Sequence, residues 1–125
     1  MIGLTLAAGA LIAIERNDRE TTVLVRRTLA LGLPIAVPAG VVAQVWRDGS
    51  RQVRIARVLN NEAVEIVALD DVEARRAGML CGITGTADIV DASVVLCALA
   101  RGHRIATSDP EDLRRLDRRV VLIAI

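Results

Sequence analysis

The sequence predicts a single α/β domain over residues 1–125, with a central parallel sheet of four or five strands flanked by helices. Two observations predict it. Short, continuous apolar runs alternate along the chain with stretches that repeat apolar residues every three or four positions, and such runs mark strands buried on both faces. The composition supports a core: 125 residues is the length of one domain, 53% of them are hydrophobic, and mean hydropathy is +0.44. Intrinsic disorder and low-complexity architectures are excluded.

Ile2 to Leu6 is an apolar run followed by small residues, the pattern of a buried strand feeding a helix. From Ala8, the spacing of Leu11, Ile12, Glu15 and Arg16 gives a short helix, and Val23 to Leu31 a second one stopped by Gly32 and Pro34. Ile35 to Val37 is the next strand. Pro38 suits the first turn of a helix carrying Val41, Val42, Val45 and Trp46 on one stripe. Asp48, Gly49 and Ser50 make a turn, Arg51 to Leu59 is helical in spacing, and Val64 to Leu69 returns to strand. Asp70 and Asp71 start a helix through Leu80, and Gly82 to Asp88 reads as a loop. Ile89 to Ala100 is a strongly apolar helix closed by Arg101 and Gly102. Ile105 to Thr107, Asp109 to Leu116 and Val120 to Ile125 complete a strand, helix, strand order.

A net charge of +1, from 16 basic and 15 acidic side chains, removes any inference of a nucleic-acid partner from bulk charge. Such a partner must be argued from a local site. All the basic residues are arginine, and Trp46 is the sole aromatic. Cys81 and Cys97 lie in apolar helical patterns without CxxC spacing, as buried thiols of a reducing compartment do. The apolar stretch Leu6 to Ile14 is far shorter than the roughly 20 residues a bilayer requires. A cytoplasmic chain without membrane contact is the expectation.

Ligands of parallel sheets bind outside the carboxyl ends of the strands. Three features converge there: the Ala7 to Gly9 corner, the segment Thr86 to Asp91, and the segment Thr107 to Asp112. Asp88 and Asp91 are three apart at one helix start, and Asp109 and Asp112 repeat that spacing at the next. Each also suits helix capping. Asp91, however, is flanked by residues that belong in a core, where an unpaired carboxylate costs roughly 3 to 5 kcal/mol. A cation should compensate it, and carboxylates without His or Cys select Mg²⁺ or Mn²⁺. Such ions serve phosphodiester hydrolysis. His103, in the turn Arg101 to Arg104, reads as a solvated residue rather than a base, and no Walker-type phosphate loop is present. A phospho-acceptor domain would need a lysine, and the chain has none.

The segments LAAGALIAIER, VPAGVVAQVWR, TADIVDASVVLCALARG and ATSDPEDLRRL stand in the order and spacing of a PIN domain. Over essentially its whole length the chain resembles the VapC toxin branch of that family. The resemblance implies a PIN-like fold and a metal-dependent endoribonuclease with Mg²⁺ or Mn²⁺. It also implies an RNA substrate, a VapB-type antitoxin as partner and a homodimer. Its later acidic positions fall on Asp91 and Asp109, with Asp88 and Asp112 as helpers; Asp91, Asp109 and Asp112 are the implied metal ligands. The family's first aspartate is Ala7 here, and the acidic position on the helix after Pro38 is Gln44. Three states of one fold stay open: an aspartate deliberately replaced at position 7, a naturally degenerate member, and a site rebuilt from the four remaining aspartates.

The implied antitoxin groove falls on the early helices, where Leu11, Ile14, Val23, Val25 and Leu29 offer apolar surface. Trp46 is either a packing residue or a partner anchor. Arg16, Arg47 and Arg101 are the arginines nearest the motifs and the candidates for RNA contact. The rival function is a catalytically dead PIN-like binding module that sequesters antitoxin or RNA.

Overall fold

The computed structural model describes residues 2–125. Five strands form one parallel sheet: β1 (Leu4–Leu6), β2 (Ile35–Pro38), β3 (Val64–Val67), β4 (Arg104–Thr107) and β5 (Val121–Ala124), in the order β3-β2-β1-β4-β5. Every pairing is parallel, with Leu4 beside Ile35 and Leu6 beside Ala106. The three central strands are almost wholly buried, which explains their unbroken apolar runs.

The helices are α1 (Ala8–Glu15), α2 (Arg19–Ala30), α3 (Ala39–Val45), α4 (Val53–Leu59), α5 (Asp71–Thr84), α6 (Ile89–Arg101) and α7 (Pro110–Leu116). Strand order runs outward from β1 to β3, then jumps back to β4. Right-handed crossovers therefore send the first four helices and the last three to opposite faces. The packing agrees: α1 lies against α2, α3 and α4, whereas α6 lies against α5, α7 and three strands. Leu4, Leu6, Leu11, Val37, Ile55, Val95 and Ile105 sit in one continuous core. Both cysteines are buried free thiols.

Several expectations change. Helix α2 begins at Arg19 rather than Val23, because Asp18 caps it by accepting from the Thr21 N–H at 3.0 Å and the Thr21 hydroxyl at 2.7 Å. Helix α5 runs on through Gly82 to Thr84, where a loop was expected. Its stop is Gly85, left-handed at φ +72°, after which the Thr86 N–H bonds back to the Cys81 carbonyl. Pro38 ends β2 and precedes α3 instead of entering it. Trp46 is extended backbone at the end of α3, with its ring against Gly49, so closely that a Cβ there would lie 2.7 Å from it.

His103 is the largest correction. It is buried, at 8% exposure, and its Nδ1 lies 3.1 Å from the Thr5 hydroxyl. Gly3 makes the space, because a Cβ at that position would stand 2.6 Å from His103 Nε2. Among the described residues no single helix is long and apolar enough to cross a membrane.

Candidate functional site

All five strands are parallel, so their carboxyl ends share one edge of the sheet. The order reverses direction between β1 and β4, and the crevice there is the expected ligand position. Ala7 follows β1 directly, with its N–H donating to the Ala106 carbonyl of β4 at 3.1 Å. Ser108 and Asp109 follow β4. The two corners touch: a Cβ on Gly9 would stand 2.1 Å from Ser108 Oγ, so only glycine lets them lie this close. Thr107 Oγ1 accepts from the Asp109 N–H at 3.0 Å and fixes the turn that carries Asp109.

Helix α6 runs back against the strands, so its first turn lies at the same edge. Asp88 caps it, with Oδ1 accepting from the Asp91 N–H at 2.9 Å. Asp91 is half-buried. Its carboxyl is pushed up to about 6, first by burial, then by the charge and hydrogen bond of Asp88, then by the charges of Asp112 and Asp109. The four aspartates that the spacing singled out thus act on one another. Asp88, Asp109 and Asp112 are exposed, and Asp112 faces Arg115 at 3.9 Å.

Ala7 is buried beside this cluster and supplies no donor. Its backbone has the extended geometry of an N-cap, at φ −82° and ψ 172°, but no side-chain bond caps α1. Gln44 is exposed on α3, one turn beyond Gly40, which approaches Val90 of α6. Its side chain lies on the stripe that faces α6 and enters no hydrogen bond among the described residues.

The divalent ion of PIN nucleases is tested by this donor set, and the set does not fit it. Asp88 is committed to capping, Ala7 has nothing to offer, and among the described residues no three acidic, His or Cys side chains converge to hold an ion. The trio Asp91, Asp109 and Asp112 that the resemblance implies as ligands stands here as neighbouring charges, with Asp112 and Asp109 both raising the Asp91 carboxyl.

Beside this edge lies an open groove of about 540 Å³, lined by Gly9, Ile12, Ala13, Arg16, Ser108 and Ile125, with Asp18 and Glu20 also on its wall. Of the arginines proposed for RNA contact, only Arg16 is placed here. Arg47 donates to the Ala43 and Trp46 carbonyls. Arg101 sits at the far end of α6, about 15 Å along the helix from Asp91 at 1.5 Å per residue, paired with Glu65 at 3.1 Å.

Among the residues expected to meet a partner, Leu11 is wholly buried and belongs to the core; its row on α1 faces the sheet. Val23 is half-buried and Trp46 is 39% exposed. Ile14 lines a second groove, of about 230 Å³, between α2 and α4. Sequence reasoning missed the arginines of that groove, because α2 and α4 are brought together only by tertiary packing.

No curated protein sequence matches this chain. Solved structures do match in fold. A chain in the crystal structure of VapBC2 from Rickettsia felis, bound to a promoter DNA fragment, superimposes with a TM-score of 0.73 at 17% identity, covering 100% of this chain and 99% of that one. A chain of FitAB bound to an IR36 DNA fragment gives 0.64 at 12% identity, covering 97% and 94%. One of FitAcB from Neisseria gonorrhoeae gives 0.64 at 13%, covering 96% of each chain. The PIN domain family model matches residues 6–119, from the end of β1 through β2, β3, β4 and all seven helices, and the chain belongs to the PIN domain family.

Proposed function

We propose that this chain is a VapC-type toxin subunit, built on an RNA-cleaving frame, whose hydrolytic step is silenced at Ala7. The observation that carries the reading is the aspartate cluster at the carboxyl edge of the sheet, where Ala7 is buried at the end of β1 with its N–H on the Ala106 carbonyl of β4. Position 7 has the backbone of a helix N-cap, where aspartate is among the preferred residues and alanine among the poorest. An aspartate there would add both a cap and a fifth carboxylate. The similarity to chains of VapBC and FitAB structures supports a VapB-type antitoxin as partner. RNA would lie along the groove by Arg16, and a homodimer is the expected assembly.

Without a cation, the residues present still have work in this reading. Asp109 and Asp91 frame the crevice, Thr107 holds Asp109 in place, and Arg16 offers a guanidinium to a phosphate. In PIN nucleases a bound Mg²⁺ or Mn²⁺ supplies an activated water and neutralises charge on the leaving oxygen.

The test is Ala7→Asp. The present chain should leave a mixed RNA substrate intact in Mn²⁺, and Ala7→Asp should cleave it, with cleavage abolished by chelation. Silence in both proteins would overturn the nuclease frame. It would favour the second reading, a binding module that sequesters antitoxin or RNA.

A further inference from the structure

Trp46 is the only aromatic residue of the chain, and it is 39% exposed at the end of α3. The loop that carries it is tied down. Gln52 accepts from the Arg47 and Asp48 N–H groups at 2.8 and 3.0 Å and donates to the Val45 carbonyl at 2.7 Å, so one side chain joins both ends of the turn. Gly49 lets the chain pass close beside the indole, since a Cβ there would stand 2.7 Å from the ring. The ring is thus fixed in place, partly open to solvent, before anything binds to it.

Its neighbours along the chain are polar. Gln44, Arg47, Asp48, Ser50 and Arg51 are all exposed. Asp48 is occupied: Ser50 donates to it from its N–H and its hydroxyl, at 3.0 and 2.7 Å, and Arg51 faces it at 3.7 Å. Arg47 enters no ion pair among the described residues. Its Nη1 donates to the Ala43 and Trp46 carbonyls at 3.1 and 2.7 Å, which holds the guanidinium against the last turn of α3 and leaves Nε and Nη2 to donate elsewhere. A fixed cation and a fixed aromatic ring therefore end the same helix. That helix starts at the carboxyl edge of the sheet, where Gly40 approaches Val90, the residue before Asp91. From Gly40, six residues at about 1.5 Å each set Trp46 about 9 Å along α3. Stacked nucleotides of one strand are about 3.4 Å apart, so the ring lies within about three nucleotides of a phosphate held at the aspartate edge.

We infer that Trp46 stacks on an unpaired base of RNA bound across this edge, with Arg47 holding an adjacent phosphate, and that this contact selects single strands over duplex. The role rests on the RNA reading above and adds to it the residue that meets a base. Unpaired bases splay out and stack on aromatic rings, whereas the interior of a duplex offers no free face. Every base has such a face, so the contact tolerates sequence. Anchoring a protein partner is the other use of an exposed tryptophan. Anchors of that kind sit in well-packed, desolvated pockets, and the polar side chains that flank Trp46 in the chain supply none.

With no tyrosine or phenylalanine in the chain, its fluorescence reports on Trp46 alone. Titrating a short, mixed-sequence single-stranded RNA into the unaltered chain, in chelator, should quench the emission, because a stacked base quenches indole. An abasic strand of the same length should bind through charge and leave the emission unchanged, and the duplex should quench little. In anisotropy with labelled RNA, Trp46→Ala should weaken binding about 10-fold and Trp46→Phe much less. Arg47→Gln should weaken the RNA and the abasic strand alike and lower the salt dependence, as loss of one phosphate contact does. Quenching is read on the unaltered protein and so stands whether or not a variant folds. RNA binding without quenching, equal quenching by the abasic strand, or undiminished binding by Trp46→Ala would each overturn the inference and leave Trp46 to a protein contact. Failure of the chain to bind RNA at all would overturn it together with the RNA reading, whereas RNA cleavage by Ala7→Asp with unquenched emission would overturn the stacking alone.

Discussion

Asp91→Asn should stabilise the fold at neutral pH, and the size of the gain follows from the site. Asp91 is half-buried at the start of α6, among three other aspartates, and its carboxyl is raised from 3.8 to about 6. At about 1.4 kcal/mol per pH unit, the charged form is disfavoured by about 3 kcal/mol. Solvent screens a half-exposed group, so about 1 to 2 kcal/mol is the expected effect. Asparagine keeps the size and the neutral charge of the protonated carboxyl, and its amide can donate to Asp88 in the same way.

The sign sets the pH window. Between pH 3.8 and about 6 the folded state holds more protons at Asp91 than the unfolded state, so stability falls as pH rises through that range and stays low above it. The advantage of Asp91→Asn should be near zero at pH 4, grow towards pH 6 and level off beyond. For a chain of this size it corresponds to about 4 to 8 °C in melting temperature at pH 7.5. Differential scanning fluorimetry of both proteins from pH 4 to 8, in chelator, measures it. A pH-independent difference, or a less stable Asp91→Asn protein at pH 7.5, would refute the claim that like charge and burial strain this edge.

Two further outcomes are expected. Gly9→Ala should lower stability by about 1 to 3 kcal/mol, as overpacking does, because the new methyl would stand 2.1 Å from Ser108 Oγ; adding Ser108→Gly should recover most of the loss in the same thermal assay. His103 is held below its usual value by burial, and then by Arg101, with Glu65 opposing. Its folded state therefore holds fewer protons than the unfolded one just below pH 6.5, and stability should fall as pH drops through that range. His103→Gln should flatten that part of the profile, and an unchanged slope would remove His103 from the acid response.

The sheet was legible because β1, β2 and β4 are covered on both faces and must be apolar throughout. Local signals mattered at the helix ends. The Asp18-x-x-Thr21 cap that starts α2 was present in the sequence, yet the helix was read from its apolar spacing alone and began too late. Gly82 and Gly85 both looked like loop residues, although only Gly85 has the left-handed backbone that ends α5. His103 was misplaced because its burial depends on Gly3 and Thr5, about a hundred positions away and adjacent only once β1 pairs with β4. The aspartate cluster was legible for the opposite reason. Helix starts and strand ends fix their own edge, so spacing alone brought Asp88, Asp91, Asp109 and Asp112 together. Nothing comparable announces the arginine groove, whose walls come from helices more than twenty residues apart.

Helix α1 connects the two sites and also explains their independence. Its first residues, Ala8 and Gly9, sit at the acidic edge against Ser108, and Ile14 near its end lies in the arginine groove. Six residues at 1.5 Å each separate Ala8 from Ile14 by about 9 Å along the helix. Position 7 lies before the first turn of that helix and contributes to no wall of the groove. Replacing an aspartate there by alanine removes charge from one end of the surface and leaves the other end as it was, so loss of hydrolysis and retention of the partner are compatible in a single chain.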